Sequence, residues 1–201
     1  AQTLAVTVAD PLGRDVPAAL LVVGAEGERT AYVEAAQAGG LHLLAADERN
    51  PAVTSTWGVG QLVEAALAEG ATRIVVGLGG SATNDAGAGM LAALGAGAPQ
   101  DLARGGLALA DIADTALPGL MATRERFRGV ELVLATDVES PLLGLQGATD
   151  VMVASYVNLG ALSVLMRTAA CAGTDLTIIC AGRDKLFSLE DGSRPPVVHL
   201  D

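Results

Sequence analysis

The residues best suited to chemistry lie in one stretch, residues 77–89, which holds five glycines and four polar side chains. Glycine lets the backbone turn tightly and approach a ligand closely. The start of a following helix can offer unpaired N–H groups to a phosphate or carboxylate. The polar side chains belong to Ser81, Thr83, Asn84 and Asp85. We therefore predict a site for a small polar ligand. The alternative is a glycine-rich turn that only joins a strand to a helix.

Neither standard nucleotide-binding motif accounts for this stretch. It lacks the Gly-Lys-Ser/Thr sequence that ends a Walker A loop. It also departs from the Rossmann fingerprint, because its acidic residue, Asp85, lies within the loop and not on a later strand.

Alternating strands and helices are expected to position this loop. Apolar runs predict strands at residues 4–9, 18–23, 30–33, 73–76, 130–136, 151–155 and 176–181. Helical spacing predicts helices at residues 57–70, with Thr56 as the cap and Gly70 as the stop, and at 87–94 and 158–170. Loop with short elements is expected at 95–116, and loop and tail from Asp184 onward. This order predicts an α/β fold, a mixed or largely parallel sheet with flanking helices.

Composition excludes several partners. The 201 residues carry a formal net charge of −11, so no basic surface is expected to bind nucleic acid or an anionic membrane. No apolar run approaches the roughly 20 residues of a membrane span, and no leader opens the chain, so we expect a cytoplasmic protein.

The metal-binding and redox residues are few. Cys171 and Cys180 lie in apolar contexts, which favours buried free thiols over a disulfide. His42 and His199 have no flanking pattern of zinc ligands. We expect no zinc site.

Several motifs, in order, resemble the type-1 glycerate kinase family. The stretch at residues 77–95 resembles the family's signature loop, which usually reads GGSATNDGG, and Ala86 replaces the first of its two final glycines. Segments similar to other family motifs lie at residues 7–13, 30–43, 49–63 and 136–148. The family's DSFKG, DGGEGT and VFGPQKGA segments are not found in this sequence.

The resemblance implies a phosphotransferase that moves the γ-phosphate of ATP to a hydroxyl of glycerate, an organic acid, with magnesium. It implies that Gly79, Gly80, Ser81, Thr83, Asn84 and Glu34 bind substrate or phosphate. Asp85 and Asp137 would hold magnesium, or one of them would act as general base. For Asp137 the alternative is a cap on the turn before Pro141, and for Glu34 a solvated carboxylate. The implied partners are glycerate and a nucleotide, and the chain could form a homo-oligomer.

The end of the chain has a second resemblance. Residues 155–158, 177–183 and 187–191 resemble part of the 2-phosphosulfolactate phosphatases, which use magnesium. The two resemblances predict a chimera or fusion with a junction near residues 147–151. The parts would be a glycerate kinase-like domain at 1–148 and an α/β tail segment at 149–201. Two alternatives to a kinase follow, a non-catalytic ligand-binding or structural fragment and a magnesium-dependent 2-phosphosulfolactate phosphatase.

Overall fold

The fold is built on one seven-stranded sheet. The computed structural model describes residues 1–112, 116–136, 176–180 and 197–199. The strands are β1 (Gln2–Ala9), β2 (Asp15–Val23), β3 (Thr30–Glu34), β4 (Arg73–Gly77), β5 (Glu131–Thr136), β6 (Leu176–Cys180) and β7 (Val197–His199). Their order across the sheet follows their order in the chain. β1, β2 and β3 pair antiparallel, and β3 to β7 pair parallel. The expected mixed α/β sheet is confirmed.

Short helices connect the strands. They are α1 (Ala36–Gly39), α2 (Trp57–Ala68), α3 (Ala88–Ala93), α4 (Pro99–Leu102) and α5 (Leu120–Arg126), with single 3-10 turns at Leu41–Leu43 and Ala46–Glu48 and a longer 3-10 segment at Gly106–Asp111. The helix α2 buries Leu62, Val63 and Ala66 on one face. Gly70 follows it with φ of +72°, a conformation that glycine adopts without strain, so the expected stop is confirmed.

The core lies between one face of the sheet and α2 and α3. Alternate residues of the central strands point into it, as the two-residue period of a strand requires. The strand residues buried in this layer are Val8, Ala18, Leu20, Val22, Ala31, Val33, Ile74, Val76, Leu132 and Leu134. On the opposite face Leu21 and Tyr32 are 39% and 46% exposed. The opposite face is therefore the more exposed of the two, and a hollow lies on it.

The structure corrects the sequence predictions at three places. Strand β7 lies in the segment that was expected to be loop and tail. The helix α5 lies in a segment for which no element was predicted. Thr56 precedes α2 but its side chain makes no capping hydrogen bond there. The strand predicted at 151–155 and the helix at 158–170 lie outside the described residues.

Candidate functional site

The carboxyl ends of β3, β4 and β5 meet at one edge of the sheet, where open α/β sheets bind ligands. Glu34 pairs with Gly77, and Gly77 pairs with Ala135, so these strands end almost level. The glycine-rich loop leaves β4 at this edge. Asp137 directly follows the last residue of β5 in the sequence, and it lies outside the described residues.

Backbone hydrogen bonds hold the first part of the loop against its neighbours. Leu78 N–H donates to the carbonyl of Ala135 at 2.9 Å. Ala82 N–H donates to the Gly39 carbonyl at 2.7 Å, and Leu41 N–H donates to the Gly80 carbonyl at 3.0 Å.

Three consecutive backbone N–H groups of the same loop form none of these hydrogen bonds. The N–H groups of Gly79, Gly80 and Ser81 have no acceptor among the described residues. Gly80 is exposed and has φ of +70°, while Gly79 and Ser81 are half-buried. Consecutive N–H groups of this kind can bind an anion.

Asp85 is the most enclosed polar side chain of the loop, with 0% exposure. Its Oδ2 accepts from the N–H groups of Thr56 at 2.8 Å and Gly89 at 3.1 Å. Its Oδ1 accepts from Gly87 N–H at 3.0 Å. The Thr56 hydroxyl donates to the same carboxylate at 2.9 Å, and the Ser55 hydroxyl lies 3.5 Å from Oδ2. One carboxylate thus joins the start of α2 to the start of α3.

Hydrogen bonds within the protein occupy the N–H groups at the start of α3. The Asp85 carboxylate takes the N–H of Gly89, its carbonyl accepts from Ala88 N–H, and the Thr56 hydroxyl accepts from Met90 N–H at 2.9 Å. The first donors of α3 therefore have partners within the protein. The expectation that this helix terminus presents unpaired N–H groups to a phosphate is wrong. The donors without an acceptor in the described part of the chain lie earlier, at Gly79–Ser81.

Close packing around Asp85 requires small residues. A Cβ on Gly89 would lie 2.7 Å from Trp57 N and 3.0 Å from Asp85 Oδ2, and it would overlap the Ser55 hydroxyl. The backbone turns into α3 through Ala86 and Gly87, with φ of +54° and +78°. Ala86 is the only non-glycine residue with positive φ among those described.

The remaining polar residues of the loop have different surroundings. Thr83 is buried and its hydroxyl donates to the carbonyl of Thr54 at 2.7 Å, while the Thr54 hydroxyl donates to Ala82 at 2.8 Å. Thr83 therefore anchors the loop. Ser81 and Asn84 are half-buried. Glu34 is exposed at the end of β3, next to the loop.

Thr56 is the residue whose importance the sequence reasoning missed. It was interpreted as a helix cap, but its hydroxyl bridges Asp85 and the backbone of Met90. The segment 54–56 lies within one of the family-like motifs, and that was the only signal of its part in the site.

The described residues contain no group of three or more His, Cys, Asp or Glu side chains that could hold a metal ion. Among the same residues, no helix is long and apolar enough to cross a membrane.

The fold and the site define an open-sheet α/β protein with a glycine-rich loop at the carboxyl edge of the sheet. A model of the glycerate kinase family matches residues 1–153, so this chain belongs to the glycerate kinase family. The resemblance stated from the motifs is thereby confirmed for the family.

Individual relatives agree with the family match. The chain is 47% identical over 148 residues to glycerate kinase of Bacillus subtilis (strain 168), covering 72% of this chain and 37% of that protein. It is 41% identical over 148 residues to glycerate 2-kinase of Escherichia coli (strain K12), covering 72% of this chain and 38% of that one. The chain thus spans less than two fifths of the length of these relatives.

The fold is similar to that of a crystal structure from Salmonella typhimurium LT2, provisionally assigned as glycerate kinase 2. The TM-score is 0.65 and the sequence identity 26%, over 90% of this chain and 63% of the other. The strands β6 and β7 continue the same sheet as β1 to β5. The division at residue 148, the phosphatase-like tail and the chimera stay predictions.

Proposed function

We propose that this chain carries the anion-binding part of a glycerate kinase site, which transfers the γ-phosphate of ATP to a hydroxyl of glycerate. The proposal rests on three adjacent N–H groups, at Gly79, Gly80 and Ser81, that have no acceptor among the described residues and belong to a loop held in place by Asp85. Phosphoryl transfer depends mainly on positioning and on neutralising charge. A loop of backbone donors positions the phosphate and neutralises part of its charge.

The side chains of the loop divide into two groups in this proposal. Ser81 and Asn84 are the half-buried side chains proposed to contact phosphate or the glycerate carboxylate. Thr83 and Asp85 are buried, and we propose that they act by holding the loop in shape.

Magnesium is the cofactor that the family implies. The donors around Asp85 do not fit a direct ligand, because its Oδ2 already accepts from two N–H groups and a hydroxyl in a fully enclosed site. Magnesium favours carboxylates that leave room for waters and phosphate oxygens. We propose Asp137 as its carboxylate. Direct binding by Asp85, or its action as general base, stays a prediction, and either would require it to give up hydrogen bonds.

A second candidate is a fragment that binds the nucleotide without transferring phosphate. The enclosed position of Asp85 favours it, since no described carboxylate in the loop is free to reach a substrate hydroxyl. The phosphatase interpretation of the tail has no support from the described residues, and it is tested alongside.

A coupled assay of ADP release with ATP, magnesium and D-glycerate tests the kinase proposal. We expect glycerate-dependent release that falls at least about a hundredfold in Asp137→Asn, since the loss of one well-placed polar group costs about that much. Asp111→Asn removes the same charge from an exposed position and should leave the rate unchanged. Asp85→Asn should lose both activity and unfolding free energy, because its donors lose an ionised acceptor.

Three other results would each change the proposal in a different way. ADP binding to the folded protein without any glycerate-dependent release would reject transfer and favour the second candidate. Phosphate release from 2-phosphosulfolactate would favour the phosphatase. Equal rates in Asp137→Asn and Asp111→Asn would remove Asp137 from the site.

A further inference from the structure

A hollow of about 410 Å³ lies on the more exposed face of the sheet, beside the glycine-rich loop. Its lining includes the small residues Ala19, Gly77 and Ala135, and Gly77 pairs with Ala135 on one side and with Glu34 on the other. Larger residues form the next row, where Leu21 pairs with Tyr32, and Tyr32 pairs with Val75. The step in size between neighbouring rows makes the depression, and its volume is within the usual range of small-molecule sites.

A side chain keeps this region of the sheet open. The ladder between β2 and β3 ends at the pair Leu21–Tyr32. Beyond it, the Gln37 amide takes the place of a strand, since its Oε1 accepts from Ala19 N–H at 2.7 Å and its Nε2 donates to the Ala19 carbonyl at 3.0 Å. The exposed backbone of β2 is thus satisfied without closing the hollow.

Glu34 supplies the charge at the rim. A Cβ placed on Gly77 would lie 2.9 Å from Oε2 of Glu34, so the carboxylate lies against the strand that enters the loop. Among the described residues, its Oε1 makes one long contact, at 3.4 Å from Ala36 N. A carboxylate repels a phosphate but accepts hydrogen bonds from hydroxyl groups, so its natural ligand here is a diol.

Two diols are available under the proposed function, glycerate and the ribose of a nucleotide. The larger apolar side chains on this face of the hollow belong to Leu21, Tyr32 and Val75. Glycerate has no apolar surface to bury there, whereas a base does. In dinucleotide-binding folds an acidic residue about 20 residues after the glycine-rich loop binds the ribose. Glu34 precedes the loop in this sequence but offers the same carboxylate chemistry.

Resting on the proposed function, we infer that the hollow binds the nucleoside of the nucleotide, with Glu34 accepting from the ribose hydroxyls. The phosphates then extend toward the unpaired N–H groups of Gly79–Ser81. This assigns Glu34 to the nucleotide and not to phosphate or glycerate.

Calorimetric titration of the full chain with ADP, 2′-deoxy-ADP and D-glycerate, at one fixed magnesium concentration, tests the inference. We expect the wild type to bind ADP about tenfold more tightly than 2′-deoxy-ADP, since a hydrogen bond to a charged acceptor is worth about that factor. In Glu34→Gln the ratio should fall to about threefold or less. Glu26→Gln, the same change in an exposed turn at the other end of β3, should keep the wild-type ratio.

A second variant separates the base from the ribose. Tyr32→Ala removes a half-exposed ring, so it should fold, and it should weaken both nucleotides equally while keeping their ratio. An unchanged ratio in Glu34→Gln would overturn the inference. So would a loss of glycerate affinity with ADP affinity intact, or no ADP binding by the folded wild type. If ribose discrimination is present but no phosphate is transferred, the inference stands and the kinase proposal fails.

Discussion

Ala86 occupies a backbone conformation that glycine adopts more easily. Its φ of +54° lies in the left-handed region, where a Cβ costs about 1–2 kcal/mol. The family's signature loop usually has glycine at this position. A hydrogen bond from Gly87 N–H to the Asp85 carboxylate spans Ala86 and holds its backbone in this conformation.

Replacing Ala86 with glycine should therefore stabilise the protein. The relief of strain exceeds the added flexibility of the unfolded chain, so we expect a gain of about 0.5–1 kcal/mol in the free energy of unfolding. Urea denaturation measures it. The control is Ala45→Gly, at an exposed residue with φ of −61°, which should lose stability. A loss in both variants would show that the loop does not strain Ala86.

Asp10 is the second buried carboxylate of the described chain, at the β1–β2 turn. Its Oδ1 accepts from the N–H groups of Leu12 and Arg14 at 2.8 and 2.9 Å, and its Oδ2 from Arg14 Nε. Burial alone would raise the pKa of Asp10. The hydrogen bonds from Arg14 and Leu12 outweigh it and lower the pKa below its usual value of 3.8.

This pKa sets a pH dependence of stability. Because the folded-state pKa is depressed, the carboxylate stabilises the protein fully above about pH 4 and loses this effect as the pH falls through the folded value. Asp10→Asn should cost about 1–2 kcal/mol at pH 7, and the difference from wild type should shrink below pH 3.8. Urea titrations across pH 2.5–7 measure it, with the exposed Asp101→Asn as the control. A pH-independent difference would contradict the assignment.

At the scale of elements, the close crossing of α2 and α3 determines where the loop ends. Gly60 makes it possible, since a Cβ there would lie 2.6 Å from the Cβ of Ala93 and 2.7 Å from the Met90 carbonyl oxygen. The crossing brings Thr56 and Asp85 together, and so it fixes the loop that carries the unpaired donors.

The sign of the change in unfolding free energy in Gly60→Ala shows whether packing or helix propensity dominates at this position. Propensity alone would stabilise α2 by about 1 kcal/mol. Overpacking against α3 should exceed that gain by about 1–3 kcal/mol. We therefore expect Gly60→Ala to be less stable and to bind nucleotide more weakly. Urea unfolding and ADP titration measure both. Ala68→Gly, at the exposed end of the same helix, reports the propensity effect alone. A net gain for Gly60→Ala would show that the helices separate at no cost.

The sequence predicted elements well where the signal was local. Alternating or continuous apolar runs located β1 to β5, and the glycine-rich run located the loop. The sequence did not predict features that depend on contacts between residues far apart in the chain. The Asp85 carboxylate and its partner Thr56 are 29 residues apart, so no window around either one could reveal the bridge. The strand β7 has three residues, too few for a periodic signal, and the parallel partner β6 supplies its pairing.

At the scale of the whole molecule, a net charge of −11 opposes the approach of an anionic nucleotide. Under the proposed function, the N–H groups of Gly79–Ser81 bind phosphate against this field, and these backbone donors carry only partial charge. Salt screens the repulsion between the protein and the nucleotide, and it does so without altering neutral contacts.

We therefore expect ADP, in the absence of magnesium, to bind more tightly as salt increases. Raising the ionic strength from about 10 mM to about 150 mM shortens the screening length from about 30 Å to about 8 Å, and should strengthen binding about twofold. Adenosine is uncharged, so its affinity should not change over the same range, and calorimetric titration of both ligands makes the comparison. The opposite slope for ADP would mean that a local positive field at the loop outweighs the net charge. The loop would then select phosphates by electrostatics as well as by the geometry of its N–H groups.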